Sequence, residues 1–271
     1  MLQAGIDNAK DLLQRAIPAY AAGKLDKPHD PHAMGVLYRQ LGACRMLSEG
    51  IPEPVFVGQM QSVSAYLARL GKMPEDDKVT SRAGVFWDAI GGQYWEAASE
   101  LAWHSRSSHN AAWEHEDDFL YVWFVMNRYF LDVPKGDDEQ SKADCEERQR
   151  ALLDRWEVVL EGGYDPRRLV CDALLRGDEQ DFKTGFIEVA DAREAKLQGQ
   201  IEQRLLSQEH AAWFLPYWNE GLALLRLAER DGLATDDHCS MVPQIVRAPN
   251  TYAYDGGSWG RIDFGPRQRK G

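Results

Sequence analysis

The chain has 271 residues, 44% of them hydrophobic and 27% charged. That composition excludes a disordered or fibrous chain and provides enough length for one large domain or two small ones. Asp and Glu number 43 against 31 Lys and Arg, a net charge of −12, which argues against the basic footprint of a nucleic-acid binder.

The opening segment, MLQAGIDNAKDLLQR, lacks the basic start and unbroken apolar run of a signal peptide. A first helical pattern follows Asp30-Pro31, where Met34, Leu37, Tyr38, Leu41 and Cys44 share one face. Phe56, Met60, Val63, Leu67 and Leu70 then repeat at +4, +3, +4, +3, which predicts a helix of about 18 residues that ends at Gly71 and Pro74. Residues 81–102 read as helix, turn, helix. Phe86, Trp87 and Ile90 precede Gly91-Gly92, and Trp95, Ala98 and Leu101 follow.

Phe119 to Leu131 is apolar nearly all round and reads as a buried central helix. At 13 residues it is too short for a bilayer, which needs about 20. Residues 141–160 predict an outer helix carrying Leu152, Leu153, Trp156 and Leu160, and Asp165-Pro166 starts another. A second helix-turn-helix unit has Leu169, Ala173 and Leu174 before Gly177-Asp178, with Phe182, Phe186 and Val189 after it. Longer helices are expected over about 178–206 and 210–230, the latter kinked or broken at Pro216 and stopped by Gly232.

The expected fold is all-α, an irregular tetratricopeptide-like array of about ten helices in antiparallel hairpins. Residues 1–233 form one domain and 234–271 a C-terminal extension. The extension is a loop or a short β-hairpin, the candidate hairpin being 251–264, and 265–271 is a frayed basic end. Trp87, Trp95, Trp123 and Trp156 fall at helical spacing and are assigned to the core.

Chemistry-bearing patterns are sparse. Cys44, Cys145, Cys171 and Cys239 lie too far apart for a zinc site and read as reduced thiols. Gly256-x-Ser258-x-Gly260 matches a nucleophile elbow by letters only. No helix pattern follows it and no histidine lies after His238. His104, His109 and His115, with Glu114 and Glu116 beside them, fall in a loop pattern and not at i, i+4 on one helix. Asp236-Asp237-His238-Cys239 reads as a capped turn. Neither a metal nor a cofactor is expected.

The most distinctive local feature is acidic. Between Glu114 and Glu147 stand eleven acids and three basic residues. Such a run is either a solvated face or a surface that attracts a basic partner. The candidate contact residues are Glu114, Glu116, Asp117, Asp118, Asp137, Asp138 and Glu139, with Trp113 as an aromatic anchor.

One stretch, NEGLALLRLAERDGL (219–233), resembles the C-terminal helix of the immunity protein 49 family of bacterial polymorphic toxin systems. Supporting pieces are GVFWDAIGGQYWEAASELA (84–102), the aromatic segment 119–131 and LVCDALLRGDEQDF (169–182), and Glu220 to Ala228 is the sharpest. The resemblance implies an all-α, non-catalytic protein that binds one cognate toxin domain and blocks it. With no export signal expected, the protein would be cytoplasmic. Its toxin would act on a cytosolic target such as nucleic acid or nucleotide, and acidic residues would mimic phosphates. No nucleic acid or membrane partner is implied. A helical-repeat adaptor for another protein is the alternative, and a helical enzyme a third reading.

Overall fold

Ile6, Ala9, Leu13, Ala16 and Tyr20 recur at +3 and +4, and all five are buried. They give α1 (Leu2–Ala21) a single apolar stripe, which packs on α2 (Pro31–Glu49). The computed structural model describes residues 1–24, 31–134, 138–236, 238–239 and 241–269. Asp30, expected to cap α2, and Asp237 lie outside them.

The remaining helices follow in order: α3 (Glu53–Leu70), α4 (Gly84–Gly91), α5 (Trp95–His104), α6 (Glu116–Met126), α7 (Glu139–Val159), α8 (Pro166–Arg176), α9 (Glu179–Glu202), α10 (Gln208–Phe214) and α11 (Asn219–Arg230). Among the described residues there is no β-strand, only the isolated bridges Cys239–Val242 and Tyr252–Gln268. The protein is an all-α array. No helix among these residues is long and apolar enough to cross a membrane.

Local chemistry sets the turns. Gly177 adopts φ +65°, a left-handed conformation that ends α8 at little steric cost. The Asp178 carboxylate then accepts the Asp181 N–H at 2.9 Å and caps α9. Pro216 lies in the gap that separates α10 from α11. Between α2 and α3 the backbones nearly touch. A Cβ on Gly58 would sit 2.5 Å from the Tyr38 carbonyl oxygen, and one on Gly42 2.6 Å from that of Pro54.

Two apolar clusters form the core. One gathers α1, α2, α9 and α10; the other gathers α4, α5, α6 and α7. Helices α3, α8 and α11 supply side chains to both. The central position therefore belongs to these three, not to the 119–131 segment. Phe119 to Val122 and Phe124 to Met126 are buried, yet all face the second cluster alone. Moreover, α6 ends at Met126 and passes into a π-helical turn over Asn127–Leu131, with Asn127 Nδ2 donating to the Trp123 carbonyl at 2.7 Å. The centrality of α3 is hidden in hydropathy because it buries Gln59, Gln61, Ser62 and Ser64.

The tryptophan assignment holds in part. Trp87 and Trp156 are buried, whereas Trp95 and Trp123 are only partly covered at the edge of the second cluster. Trp95 lies instead against the Arg230 guanidinium, 5.0 Å from its ring centre. Trp213 and Trp218 are fully buried in the first cluster. Cys44, Cys145 and Cys171 are buried, and none of the four cysteines is in a disulfide.

The segment after α11 crosses the helices. Trp259 meets Tyr20 edge-on at 5.0 Å, and Tyr38 donates its hydroxyl to the Trp259 carbonyl. Gln61 donates to the Ser258 carbonyl at 3.2 Å and also to that of Arg261. Arg226 of α11 donates to the carbonyls of Val246 (3.2 Å) and Ala248 (2.8 Å), and Asn250 Nδ2 donates to that of Gly92 (2.6 Å). Of the two forms expected for the tail, the structure has the irregular one, with an isolated bridge from Tyr252 to Gln268 in place of a hairpin within 251–264. Ala253 N–H donates to Arg267 (2.9 Å) and Arg269 N–H to Thr251 (2.7 Å), so 267–269 are paired and not frayed.

Candidate functional site

Trp113 exposes 63% of its surface on a loop that the rest of the molecule holds in place. The loop leaves α5 at Ser105 and enters α6 after His115. Thr80 Oγ1 donates to the Arg106 carbonyl at 2.8 Å. Arg106 Nη1 reaches the Glu75 carbonyl at 3.2 Å. Asn110 is buried, and its Nδ2 donates to the carbonyls of Asp76 (3.0 Å) and Lys78 (3.1 Å). The Glu114 carboxylate accepts the Ser81 N–H at 2.8 Å and the Asn110 N–H at 3.0 Å. The His109 ring nitrogen lies 2.9 Å from the Glu114 carbonyl, with the ring against Phe119.

Glu114 is thus an internal clamp more than a surface charge. Trp113 donates its backbone N–H to the Asn110 carbonyl at 2.9 Å, which fixes its backbone while the indole stays in solvent. Trp103, at the other end of the loop, is 68% exposed. It falls on α5 out of phase with the buried Ala98, Leu101 and Ala102, and that phase is a sequence signal for an outward indole. Covering the exposed part of one such ring is worth about 3 kcal/mol at 25 cal/mol/Å². Because the loop is already ordered, little of that gain is lost to ordering it.

The first turn of α6 carries Glu116, Asp117 and Asp118, where carboxylates oppose the helix dipole favourably. Each is paired. Arg155 of α7 donates Nε and Nη2 to Glu116 at 2.7 and 2.8 Å, and that hydrogen bonding holds the Glu116 carboxyl below its ordinary value. Arg167 of α8 reaches Asp118 at 2.6 Å, Asp117 at 3.3 Å and Asp165 at 2.7 Å.

The other half of the acidic run lies elsewhere. Asp138 caps α7 by accepting the Ser141 N–H at 3.0 Å, and Glu139 stands 3.6 Å from Lys142. Asp137 falls outside the described residues. Helices α6 and α7 run antiparallel, since Glu116 meets Arg155 while Asp132, past the π turn, meets Arg148. Glu139 precedes Arg155 by sixteen positions, roughly 24 Å along α7 at 1.5 Å per residue. Residues 113–118 come together in one place, with 138–139 at the far end of the hairpin.

The other sequence candidates have structural settings. Ser258 opens a 3₁₀ turn, is fully buried, and holds its Oγ 2.8 Å from Ser64 Oγ. Among the described residues no group of three or more His, Cys, Asp or Glu could hold a metal ion. Asp236 stands 3.6 Å from Lys183.

Comparison with family models, curated proteins and solved structures gives no match to this chain.

Proposed function

We propose that the chain is an immunity protein that binds a cognate antibacterial toxin domain and blocks it sterically, in the cytoplasm and without catalysis. Two things support this reading. One is the resemblance of residues 219–233 to the immunity protein 49 family. The other, which carries the proposal of a contact surface, is the solvent-exposed Trp113 on a loop clamped by Asn110 and Glu114. Hot spots are enriched in tryptophan seated on ordered surface, and the gain from burying it goes to the partner contact.

The paired acids shape the mechanism. Glu116, Asp117 and Asp118 are already engaged by Arg155 and Arg167, so a basic partner meets a partly neutralised rim. Rim charges of that kind speed association and orient the encounter, while the indole supplies the lasting contact. A toxin that acts on nucleic acid or nucleotide has a basic cleft suited to that rim.

The test is co-expression with the toxin domain encoded beside this gene, followed by growth and co-purification. The wild-type chain should rescue growth and co-purify. Trp113→Ala should weaken the complex by about 2 kcal/mol or more, mainly through faster dissociation. No rescue and no complex with the wild-type chain would overturn the immunity reading. Unchanged affinity of a folded Trp113→Ala variant would move the contact surface elsewhere.

A further inference from the structure

A groove of about 470 Å³ opens between α8, α9 and α11, apart from Trp113, and one of its lining residues, Arg167, also holds Asp117 and Asp118 of the acidic run. Its apolar wall is Val189, Leu197, Phe214 and Trp218. Arg193 and Lys196, one turn apart on α9, bring two cations to it. The Arg193 guanidinium carbon stands over the Phe214 ring, 4.8 Å from its centre, and 6.0 Å from that of Trp218. It donates Nη2 to the Phe214 carbonyl at 2.8 Å and Nη1 to Met241 Sδ at 3.3 Å. A guanidinium has five N–H donors, so part of its fork remains unused.

Charge balance points the same way. The two acids of the groove already have partners, one of them the groove's third cation, Arg167. Asp165 is held by Arg167 at 2.7 Å, and Glu220 accepts the Tyr121 hydroxyl at 2.7 Å. Among the described residues no carboxylate lies within ion-pair distance of Arg193 or Lys196, although Glu220 acts on Arg193 at longer range. Burial without an adjacent anion pushes the Arg193 guanidinium down to about 10. An arriving anion would relieve that cost, and a carboxylate oxygen can accept from the guanidinium N–H groups that remain.

We propose that this groove is a binding site for a small organic carboxylate with an aromatic or branched apolar body, the carboxylate on Arg193 and Lys196 and the body against Phe214, Trp218 and Leu197. A volume near 470 Å³ suits such a ligand and is small for a folded partner. The site is independent of the immunity reading and stands or falls separately.

The test is calorimetric titration of the whole protein with 4-phenylbutyrate, beside 4-phenylbutan-1-ol, acetate and inorganic phosphate. Saturable one-to-one binding of the phenylbutyrate is expected, with the alcohol, acetate and phosphate each at least about tenfold weaker. Arg193→Gln should weaken it about tenfold, and Lys196→Gln, at an exposed position that leaves the fold alone, about threefold. No saturable binding, equal binding of the alcohol or acetate, or wild-type affinity in both variants would overturn the proposal. So would binding of an acidic peptide where phenylbutyrate fails, which would make the groove a protein contact.

Discussion

Arg39 of α2 places Nη1 2.5 Å from Oδ2 of Asp88 on α4, and the two side chains are 12% and 0% exposed. Ser62 of α3 donates to the same oxygen at 2.6 Å, and Asn219 of α11 donates to Oδ1 at 3.1 Å. One carboxylate therefore ties four helices together. Burial raises its pKa, against the opposing pull of Arg39. Arg39→Met leaves that carboxylate without its cation and should cost about 3–5 kcal/mol in urea unfolding. Arg39→Met combined with Asp88→Leu should recover much of the loss. A single variant as stable as wild type would show that the pair is dispensable.

The tryptophans should separate by burial. Trp156 is fully buried beside the Tyr121 ring, while Trp123 is only partly covered. Trp156→Ala should cost about 3–5 kcal/mol and Trp123→Ala clearly less. Equal shifts in the denaturation midpoint would mean that the edge position of Trp123 is wrong.

The loop before α6 should divide into clamp and contact. Asn110→Ala removes two hydrogen bonds made by a buried amide and should cost about 1–3 kcal/mol. Trp113→Ala removes an indole already in water and should leave the melting temperature within about 1 °C of wild type. Loss of stability in the second variant and none in the first would reverse the assignment.

Acid should destabilise the protein in two stages. His210, packed on Trp213 and Phe214, is held below 6.5 by burial. Glu116 is lowered from 4.5 by Arg155, Glu179 from 4.5 by Lys183 and Asp178 from 3.8 by the Asp181 amide. In each window the native state binds fewer protons than the unfolded chain. The stability these groups supply is therefore complete above the ordinary pKa and lost as pH falls through the folded one. Asp88, raised by burial, works in the opposite direction and softens the decline. The melting temperature should begin to fall below about pH 6.5 and fall faster below about pH 4.5. A flat profile from pH 7 to 3 would overturn this.

Periodicity carried the all-α class, the Gly177-Asp178 turn and the break at Pro216, because turn chemistry and apolar spacing act locally. Helix α1 drew no assignment from the sequence, because charged residues stand between the members of its stripe, Ile6, Ala9, Leu13, Ala16 and Tyr20. The central role of α3 was illegible, since Gln59, Gln61, Ser62 and Ser64 look like a solvent face until their partners arrive from elsewhere. Charge counting found the cluster at 114–118 but not its arginines. Arg155 and Arg167 lie 39 and 49 residues from the acids they hold, beyond any local window. The same limit hid the separation of 138–139 from 116–118, which only the antiparallel run of α7 against α6 produces.

The crossing segment has a consequence for synthesis on the ribosome. Gln61 and Ser64 find their partners 197 and 194 residues later, at Ser258. Until that residue clears the exit tunnel, Gln61 and the Ser64 hydroxyl lack the partners that the crossing segment brings, although Ser62 already has Asp88 and Gln59 already has Tyr217. Vectorial folding thus leaves the Gln61 and Ser64 face of α3 to close last. A premature stop between 233 and 258 should release a chain with its helices in place and this face of α3 uncovered, a ready substrate for chaperones and proteases.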